Sequence, residues 1–202
     1  MTIAKGEPWG TPGALPANGV VARSDADART VIEQSRRANI AVPPIGLVGG
    51  DLCRTLGGTG DGERLRSPDA VTFPIDIGAV LVDGRLHWFV AHVVAHNRWW
   101  TRTWLAMNAQ WLGPLNLAPR AHPDDAVLDV FDARLPIAEL WKVRSRARHG
   151  AHLPHPGIGE RRVAAAQVTF ERPLRVFIDG VSIGTARNLS VRIEPDAASV
   201  VI

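Results

Sequence analysis

The sequence predicts an α+β protein in which a short α/β layer is followed by a larger antiparallel β-sandwich. Three observations carry this expectation. Residues 19–56 run strand, helix, strand, glycine turn, helix, the order of a parallel α/β layer. A turn-rich stretch, Gly57–Asp69 (GGTGDGERLRSPD), then interrupts the pattern. Beyond it the apolar period becomes two, and Thr72–Val82 and Arg85–Ala95 flank Asp83-Gly84, a hairpin dipeptide.

Taken in order, residues 1–18 hold Pro8, Pro12 and Pro16 among glycines with no period, and read as an arm, mobile or laid on the surface. Gly19–Ala22 is a short apolar strand. Ser24 or Asp25 caps a helix over Ala26–Ala38 that gathers Ala28, Val31 and Ile32 on one face. Val42–Val48 is a second strand, and Gly49-Gly50-Asp51 turns into a helical turn at Leu52–Leu56. This layer, 19–66, is too short to close a sheet with both faces covered. The sandwich, 67–202, continues with strands at Val127–Phe131, Val163–Phe170, Arg175–Ile178 and Ser190–Ile193, and with one helix at Leu135–His149.

Composition limits the function. The 202 residues are 46% apolar and 21% charged, the balance of a soluble globular chain. No apolar run approaches the roughly 20 residues of a membrane span, and the N-terminus lacks the core of a secretory signal. The single Cys53 excludes an internal disulfide and a cysteine zinc cluster, and suits a reducing cytoplasm. Net charge is +3, almost all of the cations being Arg. The densest patch, Lys142–Arg148 (KVRSRAR), reads either as a solvated helix end, where cations are favoured, or as a surface for phosphates or anionic lipid at the inner face of a membrane. No nucleic-acid partner is indicated.

Three segments carry a family resemblance. Asn116–Val130 (NLAPRAHPDDAVLDV) resembles the stretch aP-x-A-x-pDDG-x-LDV of the diacylglycerol kinase family, the lipid kinases that include soluble bacterial and sphingosine kinases. Val176–Val181 (VFIDGV) sits where that family has a strand ending in DGE, and Gly49–Gly57 (GGDLCRTLG) is similar to its GT-x-NDLAR-x-LG. The resemblance implies an N-terminal nucleotide domain, here cut short, and a C-terminal β-sandwich with lipid access and the catalytic base. It also implies ATP and Mg as cofactors and a diacylglycerol-like hydroxyl as acceptor.

Departures from the motifs fall on the chemistry. Where the family has its phosphate cradle, GGDGT, this chain has Arg23-Ser24-Asp25-Ala26-Asp27. Asp25 aligns with the family Asp, but Cβ atoms replace the glycines that let backbone N–H groups approach phosphates, and Ser24-Asp25 reads equally as a helix cap. Asp51 and Arg54 of the second nucleotide element are kept while its Asn is Gly50; Gly49 and Gly50 either present N–H groups to an anion or simply turn the chain. Asp179 matches the family's general base and also fits a type I′ hairpin turn, its following acid being Val181. Asp124 and Asp125 match the family's magnesium stretch, with Ala126 for glycine and His122 where an acidic ligand belongs; the other reading is a surface turn. Trp99, Trp100, Trp104 and Trp111 form either a lipid pocket with a membrane-touching lip or ordinary β-core packing. His149, His152 and His155 suggest a zinc set, against which Gly150, Pro154 and Pro156 forbid a helix. His87, His92 and His96 read as structural.

Loss of the glycine loop, the Asn and the second acid removes several transition-state contacts together. The sequence therefore favours a lipid-binding or regulatory pseudokinase. The alternatives are an active ATP- and Mg-dependent lipid kinase with Asp179 as base, and one whose nucleotide half is completed by a homodimer or partner chain through residues 1–60.

Overall fold

The computed structural model describes residues 9–202; the first part of the expected arm, 1–8, lies outside the described residues. From its described part, β1 (Thr11–Pro12) pairs with β4 (Val71–Val82), and Leu15 packs against Leu65 and Val201, so this portion is laid on the body. The α/β layer follows. β2 (Val20–Ala22) and β3 (Ile45–Leu47) are parallel, Val20 opposite Ile45 and Ala22 opposite Leu47. Between them runs α1 (Asp25–Arg37), started by Ser24, whose side-chain oxygen accepts the Asp27 N–H at 3.1 Å. Its first turn is acidic and its last basic, as the helix dipole favours, and Ala28 and Ile32 are buried on the expected face. α2 (Gly50–Thr55) leaves β3 through Gly49.

After a 3-10 turn at Arg64–Arg66 the chain is mostly antiparallel strand. β4 turns through Asp83-Gly84, with φ of 44° and 84°, into β5 (Arg85–Phe89), the expected hairpin. The single strand expected over Arg85–Ala95 is broken after Phe89. Val90 and Ala91 leave the ladder, and β6 (His92–His96) pairs instead with β7 (Arg102–Met107) and β12 (Ala165–Ile178). The cause is a side chain: the N–H groups of Val90 and Ala91 are held by Asp179 rather than by a neighbouring strand. A ribbon of β8 (Trp111–Leu112) and β9 (Leu115–Asn116), then β10 (Leu128–Arg134), α3 (Ile137–Ala147) and β11 (Ile158–Val163), complete the outer part.

β13 (Val181–Val201) joins the two regions. It is antiparallel to β12 and, along most of its length, to β4, while Val200 and Val201 lie parallel to Ile45 and Gly46 of β3. The α/β layer, too short to close by itself, is closed by this strand. The composition break at 57–69 thus marks a change in element type, and the hydrogen-bonded sheet continues across it.

Alternation along β6, β7, β10 and β12 sends Val93, Ala95, Trp104, Ala106, Val130, Val176 and Ile178 into one closed core. The opposite face carries Val94, Leu105, Phe131 and Phe177, covered in part by α3 and the β8–β9 ribbon.

Candidate functional site

Four ionisable side chains meet where the α/β layer touches the large sheet. Asp25 begins α1, Asp51 lies in the first turn of α2, His92 opens β6 and Asp179 follows β12.

Asp25 turns away from its own helix and caps α2. Its two carboxylate oxygens accept the Asp51 N–H at 2.6 Å and the Leu52 N–H at 3.1 Å. Burial, with Asp179 nearby, pushes its pKa up to about 6. Gly50 has φ of 97°, and a Cβ on it would collide with the Asp25 carboxylate, as one on Gly49 would with the Arg23 carbonyl. The two glycines therefore serve close packing of chain on chain, and the amides beyond them are consumed by a carboxylate of the same protein.

Asp51 reaches the other way. Its Oδ2 lies 3.0 Å from His92 Nε2, and the Gly113 N–H donates to its carboxylate at 3.0 Å. Burial would raise the Asp51 pKa, but the hydrogen bonds from His92 and Gly113 and the charges of His92 and Arg54 together outweigh it, and the net shift is downward. Burial would lower that of His92, but Asp51, with Asp179 and Asp25 behind it, holds it above the ordinary imidazole value. His92 Nδ1 is buried with no hydrogen-bond partner among the described residues. Arg54 donates to the Gly113 carbonyl at 3.0 Å and lies 3.4 Å over the Trp111 ring.

Asp179 sits in a type I′ turn with Gly180, φ of 47° and 79°. Its carboxylate accepts three successive backbone N–H groups, of Val90, Ala91 and His92, each at 3.0 Å. Burial raises its pKa, with His92 and the three amides pulling the other way. The turn reading of Asp179 is thus met, and its carboxylate lies at this centre.

Asp25, Asp51 and His92 hold ligand atoms within 4.8 Å of one another. A divalent ion would find two carboxylates and an imidazole already engaged with N–H groups and with each other, and magnesium, which demands oxygen ligands in octahedral array, does not fit that set. The magnesium position expected from the sequence, Asp124 and Asp125, lies elsewhere. Asp125 forms an ion pair with Arg162 and accepts the Val127 N–H, whereas Asp124 is buried. Ala126, in the family's glycine position, has φ of 60°, so the turn is kept without glycine. Its N–H donates to Asp76 at 2.7 Å, and Asp76 also accepts the Asp196 N–H at 2.9 Å. Sequence reasoning missed Asp76, although a lone Asp in the apolar run of β4 was the signal. His149, His152 and His155 are not among the described residues that converge on a shared metal position.

A cavity of about 930 Å³ opens beside the centre, between the outer face of β6, β7 and β10 and helix α3. Val94, Leu105, Phe131 and Phe177 form its floor, and His92, Gly113 and Gly180 line it next to the acidic centre. Trp99 and Trp100 line it. Trp104 does not, because period two turns it into the closed core, and Trp111 is taken by Arg54. Trp141 was missed; its signal was the spacing Ile137, Leu140, Trp141, Arg144 along α3, which puts all four on the cavity side.

No family model matches the sequence, and no curated protein matches it. Solved structures do. One, "a putative diacylglycerol kinase from Bacillus anthracis str. Sterne", superposes with a TM-score of 0.64 at 12% identity, over 91% of this chain and 77% of that one. A crystal structure under the same description gives 0.68 at 12% identity, with the same coverage. A further diacylglycerol kinase structure from that organism gives 0.61 at 15% identity over 91% and 75%. The chain has the fold of these proteins. At such identity the likeness covers the path of the backbone and leaves the chemistry to the side chains present.

Proposed function

We propose that this chain is a lipid-binding module on the diacylglycerol-kinase fold that does not itself transfer phosphate. One observation carries the reading: the Asp25 carboxylate occupies the Asp51 and Leu52 N–H groups, the donors that a nucleotide phosphate would need at the start of α2. A phosphate brought there would have to displace a carboxylate and would face Asp51 and Asp179 besides. Asp179, the base in the family resemblance, has its carboxylate directed to three backbone amides.

The cavity supplies the other half of the argument. Its floor is apolar, while the end near His92 is polar, which suits an amphiphile with acyl chains under α3 and a hydroxyl-bearing head toward His92. His92, whose Nε2 is engaged by Asp51, is the imidazole that lines this end.

Titration with 1,2-dioctanoylglycerol, followed by tryptophan fluorescence, is expected to give a saturable change that Leu105→Trp, which fills the cavity, abolishes. Calorimetry with ATP and magnesium is expected to show no saturable heat. Saturable ATP binding would restore the kinase reading, and a flat response to dioctanoylglycerol would overturn the lipid one. A second reading, an ATP- and Mg-dependent lipid kinase completed by a partner chain, is favoured by the fold and by Asp179 lying beside Gly180 at the cavity's polar end. It predicts ATP binding only when that partner is added.

A further inference from the structure

We infer that the rim of the cavity, made by α3 and Arg98–Trp100, docks on an anionic lipid bilayer. The inference deepens the lipid reading by naming where the ligand comes from, and it rests on different residues. Trp141 is 73% exposed, Trp99 63%, Ile137 57% and Trp100 41%, and all four also line the cavity, so they ring its mouth. Large apolar side chains gathered in this way mark an interaction surface rather than scattered surface residues. Three of the four are Trp, the residue that settles at the boundary between hydrocarbon and headgroup.

The helix itself is built for an interface. Of its 11 residues only Ala147 is buried, although Ile137, Leu140, Trp141 and Ala147 share one stripe. The same rim is cationic: Arg144 lies within the stripe at the cavity, Lys142, Arg146 and Arg148 stand elsewhere on the helix and Arg98 on the loop, and all five are exposed. The helix bears one carboxylate, Glu139, which is held by Lys142 at 3.1 Å. A solvated helix end accounts for the cations in the last turn but not for Trp141 or Ile137. Charge also selects the occupant. A second copy docked face to face would oppose the same cations to one another, whereas an anionic bilayer complements them and receives the Trp rings. An acyl chain passing from such a bilayer into the cavity would cross no water.

The test is co-sedimentation of the full chain with vesicles of phosphatidylcholine alone and of phosphatidylcholine mixed with phosphatidylglycerol. Binding is expected only to the mixed vesicles, with loss in high salt. Arg146→Glu with Arg148→Glu should weaken it roughly thirtyfold or more, given the contribution of each cation near such a surface. Trp141→Glu should abolish it. Both variants alter exposed positions, and unchanged circular dichroism and thermal unfolding will show that the fold is intact; the Arg146→Glu with Arg148→Glu variant, which leaves the cavity lining untouched, should also keep the dioctanoylglycerol titration. Equal binding to both vesicle types, no binding to either, or a dimer in sedimentation velocity that Trp141→Glu dissociates would each overturn the proposal. Loss of the dioctanoylglycerol response with vesicle binding retained would sink the cavity reading and leave this one standing.

Discussion

On β6, β7 and β10 neighbouring residues meet two different environments. Val93, Trp104 and Val130 enter a core closed by β4, β12 and β13, while Val94, Leu105 and Phe131, each one residue further on, face the cavity under α3. The two faces are similarly apolar, so hydrophobicity did not decide which would be filled. What differs is the cover: long strands hydrogen-bonded along their length on one side, and on the other a helix that buries a single alanine. The open face is thus a consequence of architecture, and the stability of the fold should depend far more on the closed one.

Mutation can break that contrast. Trp104→Ala is expected to cost about 3–5 kcal/mol, whereas Leu105→Ala, beside it in sequence, should cost about 1–2 kcal/mol because its side chain already borders open space. Equal losses in urea denaturation would mean that both faces are packed alike. Asp179→Ala leaves three buried amides without an acceptor and should lower stability by about 3 kcal/mol, releasing the corner between β5 and β6. An alanine variant as stable as the parent would show that the corner is held by something else.

Acidity tests the charged end of the open face. Folded Asp25 takes up a proton near pH 6 and the unfolded residue near 3.8; Asp129, pushed up to about 6 by burial against the pull of Arg162, behaves alike. Between those values the folded state holds more protons, so stability falls as pH rises; Asp25 alone contributes on the order of 2–3 kcal/mol. His92, shifted upward, is charged in the folded state over a wider range and adds stability that is likewise lost as pH rises through its folded pKa. Thermal unfolding is therefore expected at a higher midpoint at pH 5.5 than at pH 7.5, and Asp25→Asn should flatten part of that slope. A midpoint that climbs with pH would contradict the buried charge assigned here. The smallest effect compares the faces directly: Val93→Phe should cost about 1–3 kcal/mol and Val94→Phe less than about 1 kcal/mol.

Features set by neighbours in sequence were legible, and those set by distant partners were not. Ser24 names its helix because the cap is three residues from the amide it meets, and Asp83-Gly84 names its hairpin through its own dihedral preference. The break after Phe89 depends on a carboxylate 89 residues away from Val90, so the alternating pattern of 85–95 reads straight through it. β13 was seen only as Ser190–Ile193, since it changes partners along its length, shifts register between Glu194 and Ala198, and exposes much of its early part. At the site, Asp25, Asp51 and Asp179 could be singled out by their motif positions. The partnership of His92 with Asp51 could not, because it spans 41 residues and joins two elements that periodicity treats separately. Trp104 shows the limit of clustering by composition, which groups residues near in sequence without telling one side of a strand from the other.

The pairing of Val200 with Ile45 bears on the order in which the molecule is made. On the ribosome β2, α1 and β3 emerge early, yet the neighbour that completes their small sheet arrives only after the whole antiparallel region has been synthesised. Until then the inner edge of β3 offers unpaired amides and carbonyls, the kind of edge that invites aggregation. Late closure of so long a loop also predicts slow folding, with the N-terminal layer acquiring protection from hydrogen exchange last although it is translated first.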